Sequence, residues 1–275
     1  MVNSIAMISG AAAWLKTKLE LPEVRGIERD SSELIRIHRD IIHRKGFLRS
    51  LYREHYRELA RSLVGIPEGP VIEIGSGGGF IKEVLPDVIT TDLNSEPHLD
   101  RVMSADHLDF PDESVAAILM LNVFHHLPDP RDFLFEVTRV LKTGGRAVLI
   151  EPAHTWLWSR LYRLFSAEPY DERATEWGFA PAGRFTGANV PLAWIVFERD
   201  RERFEKEFPA LRLRYRRLHT GFLYLLSGGI WFRSLVPSWS FPVFLGAERL
   251  LTPAMPLLAS QTTYVIERTD SGRCS

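Results

Sequence analysis

Val71-Ile72-Glu73-Ile74-Gly75-Ser76-Gly77-Gly78-Gly79-Phe80 is the stretch whose reading decides the fold. An apolar run ends beside an acid, and a glycine-rich turn begins. Phe80-Ile81-Lys82-Glu83-Val84-Leu85 then reads as a helix. Strand, tight turn and helix N-terminus together make the geometry that holds a nucleotide-like ligand. Glycine suits the turn because the backbone bends sharply and a ligand must approach without a Cβ in the way. A glycine-rich hairpin is the plain structural alternative, and a helix standing where its second strand should be speaks against it.

Three nucleotide-binding readings compete at this loop. A phosphate-cradling loop ends in Gly-Lys-Ser/Thr, whereas Gly79 is followed by Phe80 and Ile81. A dinucleotide fingerprint wants G-x-G-x-x-G, and Phe80 stands at the third glycine position. Glu73-x-Gly75-x-Gly77-x-Gly79 resembles the first motif of the class I S-adenosylmethionine-dependent methyltransferases.

Three further segments extend the resemblance. Val88-Ile89-Thr90-Thr91 reads as a strand ending at Asp92, an acid able to accept hydrogen bonds from both ribose hydroxyls or to cap the turn at Asn94. Met103 to Val115, with Asp106, Leu108, Phe110-Pro111 and Ser114, resembles the acid-containing stretch of the family's small-molecule branch. Ala116 to Leu121 reads as a buried strand running into Asn122-Val123-Phe124-His125-His126-Leu127-Pro128, which matches the family's post-strand loop. Asp129 then caps a helix with Pro130 at its first position and Phe133, Val137, Val140 and Leu141 on one face. Gly144 and Gly145 are expected to end that helix, with Arg146 to Ile150 as the fifth strand.

The order of elements implies a parallel sheet with right-handed crossovers. The resemblance implies an α/β, Rossmann-like, seven-stranded, mostly parallel sheet with helices on both faces, firmly from Val71 to Pro152 and in outline elsewhere. It implies S-adenosyl-L-methionine as cofactor, with Glu73 at the methionine end and Gly75, Ser76, Gly77 and Gly79 closing over it. Asp92 and Leu93 then serve the ribose side, Asp106 and His107 the adenine side, and Asn122 the site after the strand. The implied reaction is in-line methyl transfer, in which the protein aligns the reactants and excludes water. A base is needed only if the acceptor holds its proton near neutral pH, and His125, His126 and His154 are the catalytic candidates. No metal site is expected. The alternatives from other classes are an NAD-dependent Rossmann oxidoreductase or epimerase, disfavoured by Phe80, and a non-catalytic S-adenosylmethionine-binding module.

A chain of 275 residues, 45% apolar and 25% charged, is ordinary for one enzyme domain with insertions. A net charge of −1 argues against a general nucleic-acid binder. Cys274 is the only cysteine, which excludes an internal disulfide and suits a reducing cytoplasm. Met1 to Ala13 lacks a basic start and a long apolar core, so no secretory signal is expected. Ile5, Ile8, Ala12, Leu15 and Leu19 fall at helical spacing, as a packing helix or a membrane-surface helix. Leu21 to Gly26 reads as a linker, and Asp30-Ser-Ser-Glu33 resembles a capping box opening a helix to Gly46. A second helix carries Leu48, Tyr52, Tyr56, Leu59 and Leu63, with Tyr52, His55 and Tyr56 able to face a pocket. Residues 1–66 are accordingly assigned to a helical lid, and 67–275 to the catalytic domain.

Leu211 to His219 and Thr262 to Glu267 read as the last two strands, after a charged helix from Glu198 to Glu207. About 40 residues separate the two strands, too many for an ordinary loop. This insertion, residues 221–260, carries only Arg233, Glu248 and Arg249 as formal charges. Gly228, Gly229, Pro237 and Pro242 break its apolar runs, so it does not read as a spanning helix. It suits a membrane interface, a greasy channel for a small or lipid-like acceptor, or a helical pair completing the core. Arg212, Arg214, Arg216 and Arg217 either meet anionic headgroups or form a strand's solvated face. Tyr170, Asp171, Trp177, Arg184, Thr186 and Asn189 lie in a connection that could wall the pocket. The expected setting is cytoplasmic, with peripheral membrane contact left open.

Overall fold

The computed structural model describes residues 17–27, 32–166, 168–180 and 187–270. Seven strands form one sheet in the order β3-β2-β1-β4-β5-β7-β6. They are β1 (Val71–Ile74), β2 (Ile89–Asp92), β3 (Arg101–Val102), β4 (Val115–Leu121), β5 (Leu141–Pro152), β6 (Leu211–His219) and β7 (Gln261–Arg268). The first five run parallel, and β7 lies antiparallel between β5 and β6. Chain order reverses between β1 and β4, so the loops at their carboxyl ends diverge and leave a crevice.

Period-two alternation divides the core. Ile118 and Met120 of β4 face one cluster with Phe124, Phe133, Val137, Phe197 and Tyr264. Leu119 faces the other, with Val148, Ile150, Val265, Tyr56 and Leu59. The first face is covered by α3 (Pro130–Val140), where Asp129 Oδ1 accepts the Arg131 N–H at 2.9 Å, and by residues 192–208. The second is covered by α1 (Ser32–Arg44) and α2 (Gly46–Arg61). Residues on either side of position 66 therefore share one buried cluster.

Several local expectations are corrected. The glycine turn opens only a single 3-10 turn, Ile81–Glu83, because Pro86 follows closely and biases Leu85 away from helical backbone. Helices α1 and α2 cover the turn instead. The helix before β5 stops at Val140, and Leu141 already pairs with Val115, so the glycine pair lies inside β5 beside a bulge. Leu21–Gly26 is no loose linker: the Leu21 N–H donates to Trp231 O at 2.9 Å, and the Arg233 N–H to Leu19 O at 2.8 Å. The stripe from Ile5 to Leu15, the Asp30 cap, Arg184 and Thr186 lie outside the described residues.

The insertion folds into three short helices, Leu223–Ser227, Phe241–Leu250 and Met255–Leu258. Leu223 and Phe241 pack on Phe47 and Leu51 of α2. Among the described residues no helix is long and apolar enough to cross a membrane. Of the four arginines on β6, three meet acids: Arg214 pairs with Glu267, Arg216 with Glu198 and Arg217 with Glu58.

A buried polar knot ties α2 to the last two strands, β6 and β7. His55 Nε2 and His219 Nδ1 both meet Thr220 Oγ1, at 3.1 and 2.9 Å, and His219 Nε2 meets Thr263 Oγ1 at 2.9 Å. Burial holds His55 down to about 4 from its ordinary 6.5 and pushes His219 down as well. Between pH 6.5 and about 4 the unfolded chain gains a proton at His55 that the folded chain refuses. Stability therefore falls as pH drops through that window, by up to about 3 kcal/mol from this group. Denaturant midpoints measured from pH 7 to 4.5 should decline, and His55→Gln should flatten the decline. An unchanged slope in that variant would remove His55 from the account.

Candidate functional site

The loops at the carboxyl ends of β1, β2 and β4 line a cavity of about 980 Å³, at the large end of the ligand-pocket range. At Gly75 the backbone is left-handed (φ +70°), and a Cβ there would lie 2.5 Å from Val123 Cγ2. A Cβ on Gly79 would strike the Tyr56 hydroxyl. The loop is thus gripped by the N-terminal helices: Arg39 donates to Gly79 O at 2.6 Å, and the Phe80 N–H donates to the Tyr56 hydroxyl at 3.1 Å. Phe80 is buried against Tyr56 and lies beneath the Arg49 guanidinium, filling the place a third dinucleotide glycine would leave open.

The expected cofactor residues converge. Ser76 Oγ accepts the Thr91 N–H at 3.2 Å and ties β1 to β2. Asp92 accepts from the Gly77 N–H at 3.0 Å and the Asn94 N–H at 3.1 Å, so it both holds the glycine loop and caps its own turn. Glu73, Gly75, Ser76, Gly77, Gly79, Asp92, Leu93, Asp106 and Asn122 all line the cavity. Leu93, 65% exposed, and Asp106 stand at its open rim. His107, expected on the adenine side, is exposed and does not line the cavity.

Two orphaned atoms show what chemistry fits. Glu73 Oε2 and Asn122 Oδ1 are buried without a hydrogen-bond partner among the described residues. Two acceptors beside a backbone cradle with no Cβ match a ligand carrying an ammonium group, as the methionine end of S-adenosylmethionine does.

The three histidine candidates have different fates. His125 is buried, with Nδ1 2.6 Å from Glu151 Oε2 and Nε2 3.4 Å from Glu168 Oε2. Burial disfavours its charge, but the Glu151 and Glu168 carboxylates outweigh that and hold it up at about 10. With no other ion beside it, His125 is therefore a cation near neutral pH and does not serve as a free base. His126 lines the cavity beside it, with ring centroids 4.1 Å apart and Nε2 3.9 Å from Glu168 Oε1. His154 does not line the cavity: it stacks on Trp194 at 3.9 Å, and its Nδ1 meets the Tyr170 hydroxyl at 2.7 Å. Tyr170, Asp171, Trp177 and Asn189 also stand away from the cavity, Trp177 in the core with its Nε1 on Asp200.

Sequence reasoning missed Glu168, Tyr162, Arg39 and the role of Glu151. Glu151 carries a legible signal, an acid ending a buried strand as Glu73 does. The other three depend on long-range packing. From the insertion Tyr224, Trp231, Phe232 and Leu235 complete the wall opposite the glycine loop, and Tyr52 joins them while His55 does not.

Burial raises Glu73 to about 7, with Asp92 adding to the rise. An ammonium docked at its free oxygen favours the carboxylate, so cofactor binding should release a proton near neutrality. S-adenosylmethionine affinity should fall by up to tenfold between pH 7 and 6. Calorimetry in buffers of different protonation heat would detect the released proton, and Glu73→Gln should abolish it. An affinity flat from pH 8 to 5.5 in the unaltered protein would refute this role.

Comparison with known proteins accords with the geometry. The family described as "Methyltransferase domain" matches residues 72–149. The 2-methyl-6-phytyl-1,4-hydroquinone methyltransferase 2 of Oryza sativa subsp. japonica is 30% identical over 134 residues, 41% of this chain and 38% of that protein. The demethylmenaquinone methyltransferase of Tropheryma whipplei (strain Twist) is 26% identical over 145 residues, 42% of this chain and 61% of that protein. The chain thus spans less than two thirds of either relative. A SAM-dependent methyltransferase of Thermotoga maritima shares the fold with a TM-score of 0.50 at 14% identity, covering 86% of this chain and 99% of that one. Motifs and strand order agree with these matches: residues 72–149 carry the methyltransferase-domain pattern, and the chain resembles the class I S-adenosylmethionine-dependent methyltransferases.

Proposed function

We propose that this protein transfers the methyl group of S-adenosyl-L-methionine to a small, lipid-like acceptor with an aromatic head and an apolar tail. One observation carries the reading. A single cavity joins the polar cradle of Glu73, Asp92 and Asp106 to an apolar wall of Tyr52, Tyr224, Leu225, Trp231, Phe232 and Leu235. A polar ligand suits one end and a hydrophobic ligand the other, so the space accommodates a donor and an acceptor together. The relatives named for phytyl-hydroquinone and menaquinone substrates support a prenylated ring as the acceptor class.

The cofactor supplies a methyl group already activated on a sulfonium, so the chain's work is alignment and exclusion of water. Val123, pressed against Gly75, and the histidines that follow it stand between the two ends, where acceptor and methyl group would meet. His126 and Glu168 are the titratable groups placed to receive a hydroxyl proton there. Labelled S-adenosylmethionine offered with a prenylated hydroquinone should yield a methylated product. The same head without its tail should react with a higher KM. Cofactor binding with no transfer to any such acceptor would overturn the reading and favour a binding module.

The acceptor is proposed to enter from a membrane surface that the protein meets peripherally. Leu225 and Leu235, each 50% exposed, line the cavity and mark an opening at the insertion. On the same insertion Trp239, Val243 and Leu250 are 77%, 66% and 84% exposed. Exposed tryptophan and aliphatic side chains beside the mouth of a greasy channel suit the boundary of a bilayer. The protein should co-sediment with liposomes, and a Trp239→Ser/Val243→Ser double variant should lose most of that binding. Equal sedimentation of the two proteins would argue for entry from solution.

A further inference from the structure

We propose that His125, His126 and Glu168 form a binding site for a divalent transition-metal ion at the centre of the cavity. His125 and His126 come from the 3-10 turn Phe124–His126 after β4, and Glu168 from the connection after α4 (Trp156–Phe165). Each offers one ligand atom, and the three atoms lie within 4.8 Å of one another. The Nε2 atoms of His125 and His126 stand 3.4 and 3.9 Å from the two Glu168 oxygens. Nitrogen and oxygen ligands about 2.0–2.2 Å from a tetrahedral ion sit about 3.4 Å apart, so a small contraction around an ion completes the site.

The surroundings are those of a metal-binding histidine. Glu151 holds His125 Nδ1 at 2.6 Å, leaving Nε2 as the ligating atom. Glu151 is itself fixed by the Val123 and Phe124 N–H groups, each at 2.8 Å on Oε1. A carboxylate on the far nitrogen orients the ring and raises its strength as a ligand. The donor set selects the ion: two imidazoles and one carboxylate suit zinc, iron(II), cobalt or nickel, whereas magnesium and calcium prefer oxygen alone.

All three side chains line the cavity. Three protein ligands leave at least one coordination position for a further oxygen, the pattern of catalytic rather than structural sites. With the ion bound, His126 and Glu168 are its ligands and no longer take up a proton; a phenolic or hydroquinone oxygen suits the open position, and its proton passes to solvent as it binds. The metal then lowers the cost of the negative charge that the acceptor carries into attack. The acceptor–methyl bond forms as the methyl–sulfur bond breaks, and the electron pair leaves on sulfur. This role rests on the acceptor reading above, while the existence of the site does not.

Chelator-treated protein titrated with cobalt(II) tests the site without cofactor or acceptor. One equivalent should bind with micromolar affinity and give visible absorption bands of a four- or five-coordinate ion. Glu168→Gln and His126→Asn should each weaken binding at least tenfold and alter the bands. His154→Asn, changing a histidine outside the cavity, should leave both unchanged. Circular dichroism of each variant would establish that it folds. Absence of saturable binding, or Glu168→Gln binding as tightly as the unaltered protein, would overturn the proposal. Binding without methyl transfer would leave the site standing and count against the acceptor reading alone.

Discussion

Glu151 at the end of β5 is completely buried, and the loop after β4 is organised around it. Its Oε1 accepts two backbone N–H bonds and its Oε2 meets the His125 ring. A carboxylate removed from water is costly unless its lone pairs are met, and charge-assisted hydrogen bonds are among the strongest a protein makes. The turn is therefore held in one shape. That shape sets Val123 against Gly75 and places two histidines in the wall of the same cavity. One buried acid thus fixes the loop that carries Val123 and both histidines.

The cavity is closed by parts of the chain distant in sequence. Lys45, between α1 and α2, donates to Gly229 O and Phe232 O at 2.5 and 2.6 Å. Burial pulls this ammonium down to about 8, the cost of seating it under the insertion. The contact ties the insertion to the N-terminal helices. Arg39 performs a similar service at Gly79. The helices thus brace the glycine loop on one side and the apolar wall on the other.

Much of the fold was legible because its signals are local. Strand β6 was readable to the residue, and β4 nearly so, since uninterrupted apolar or alternating runs bounded by polar turns state their own limits. Strand β3 was invisible, being two exposed residues that exist only through pairing with β2. The helix expected after the glycine turn looked sound by composition, yet tertiary cover by α1 and α2 and a nearby proline left it a single turn. The three readings of the insertion were inseparable in sequence, because an apolar residue facing core, cavity or solvent is the same letter. The structure divides them: Leu223 and Phe241 go to the core, Trp231 and Phe232 to the cavity, Trp239 and Val243 to the surface.

The sequence by itself determined the glycine-loop end of the cavity: Glu73, the glycines, Asp92 and Asp106 lie at or just beyond the carboxyl ends of neighbouring strands. The backbone geometry of a strand-turn unit dictates which residue types can stand there, so spacing alone reveals them. Only the tertiary structure decided the opposite end. It separated His154 from His125 and His126, brought Glu168 and Glu151 onto the same imidazole, and placed the insertion over the N-terminal helices. Those relations depend on how distant segments pack, and side-chain chemistry there is set by neighbours in space, which no local pattern records.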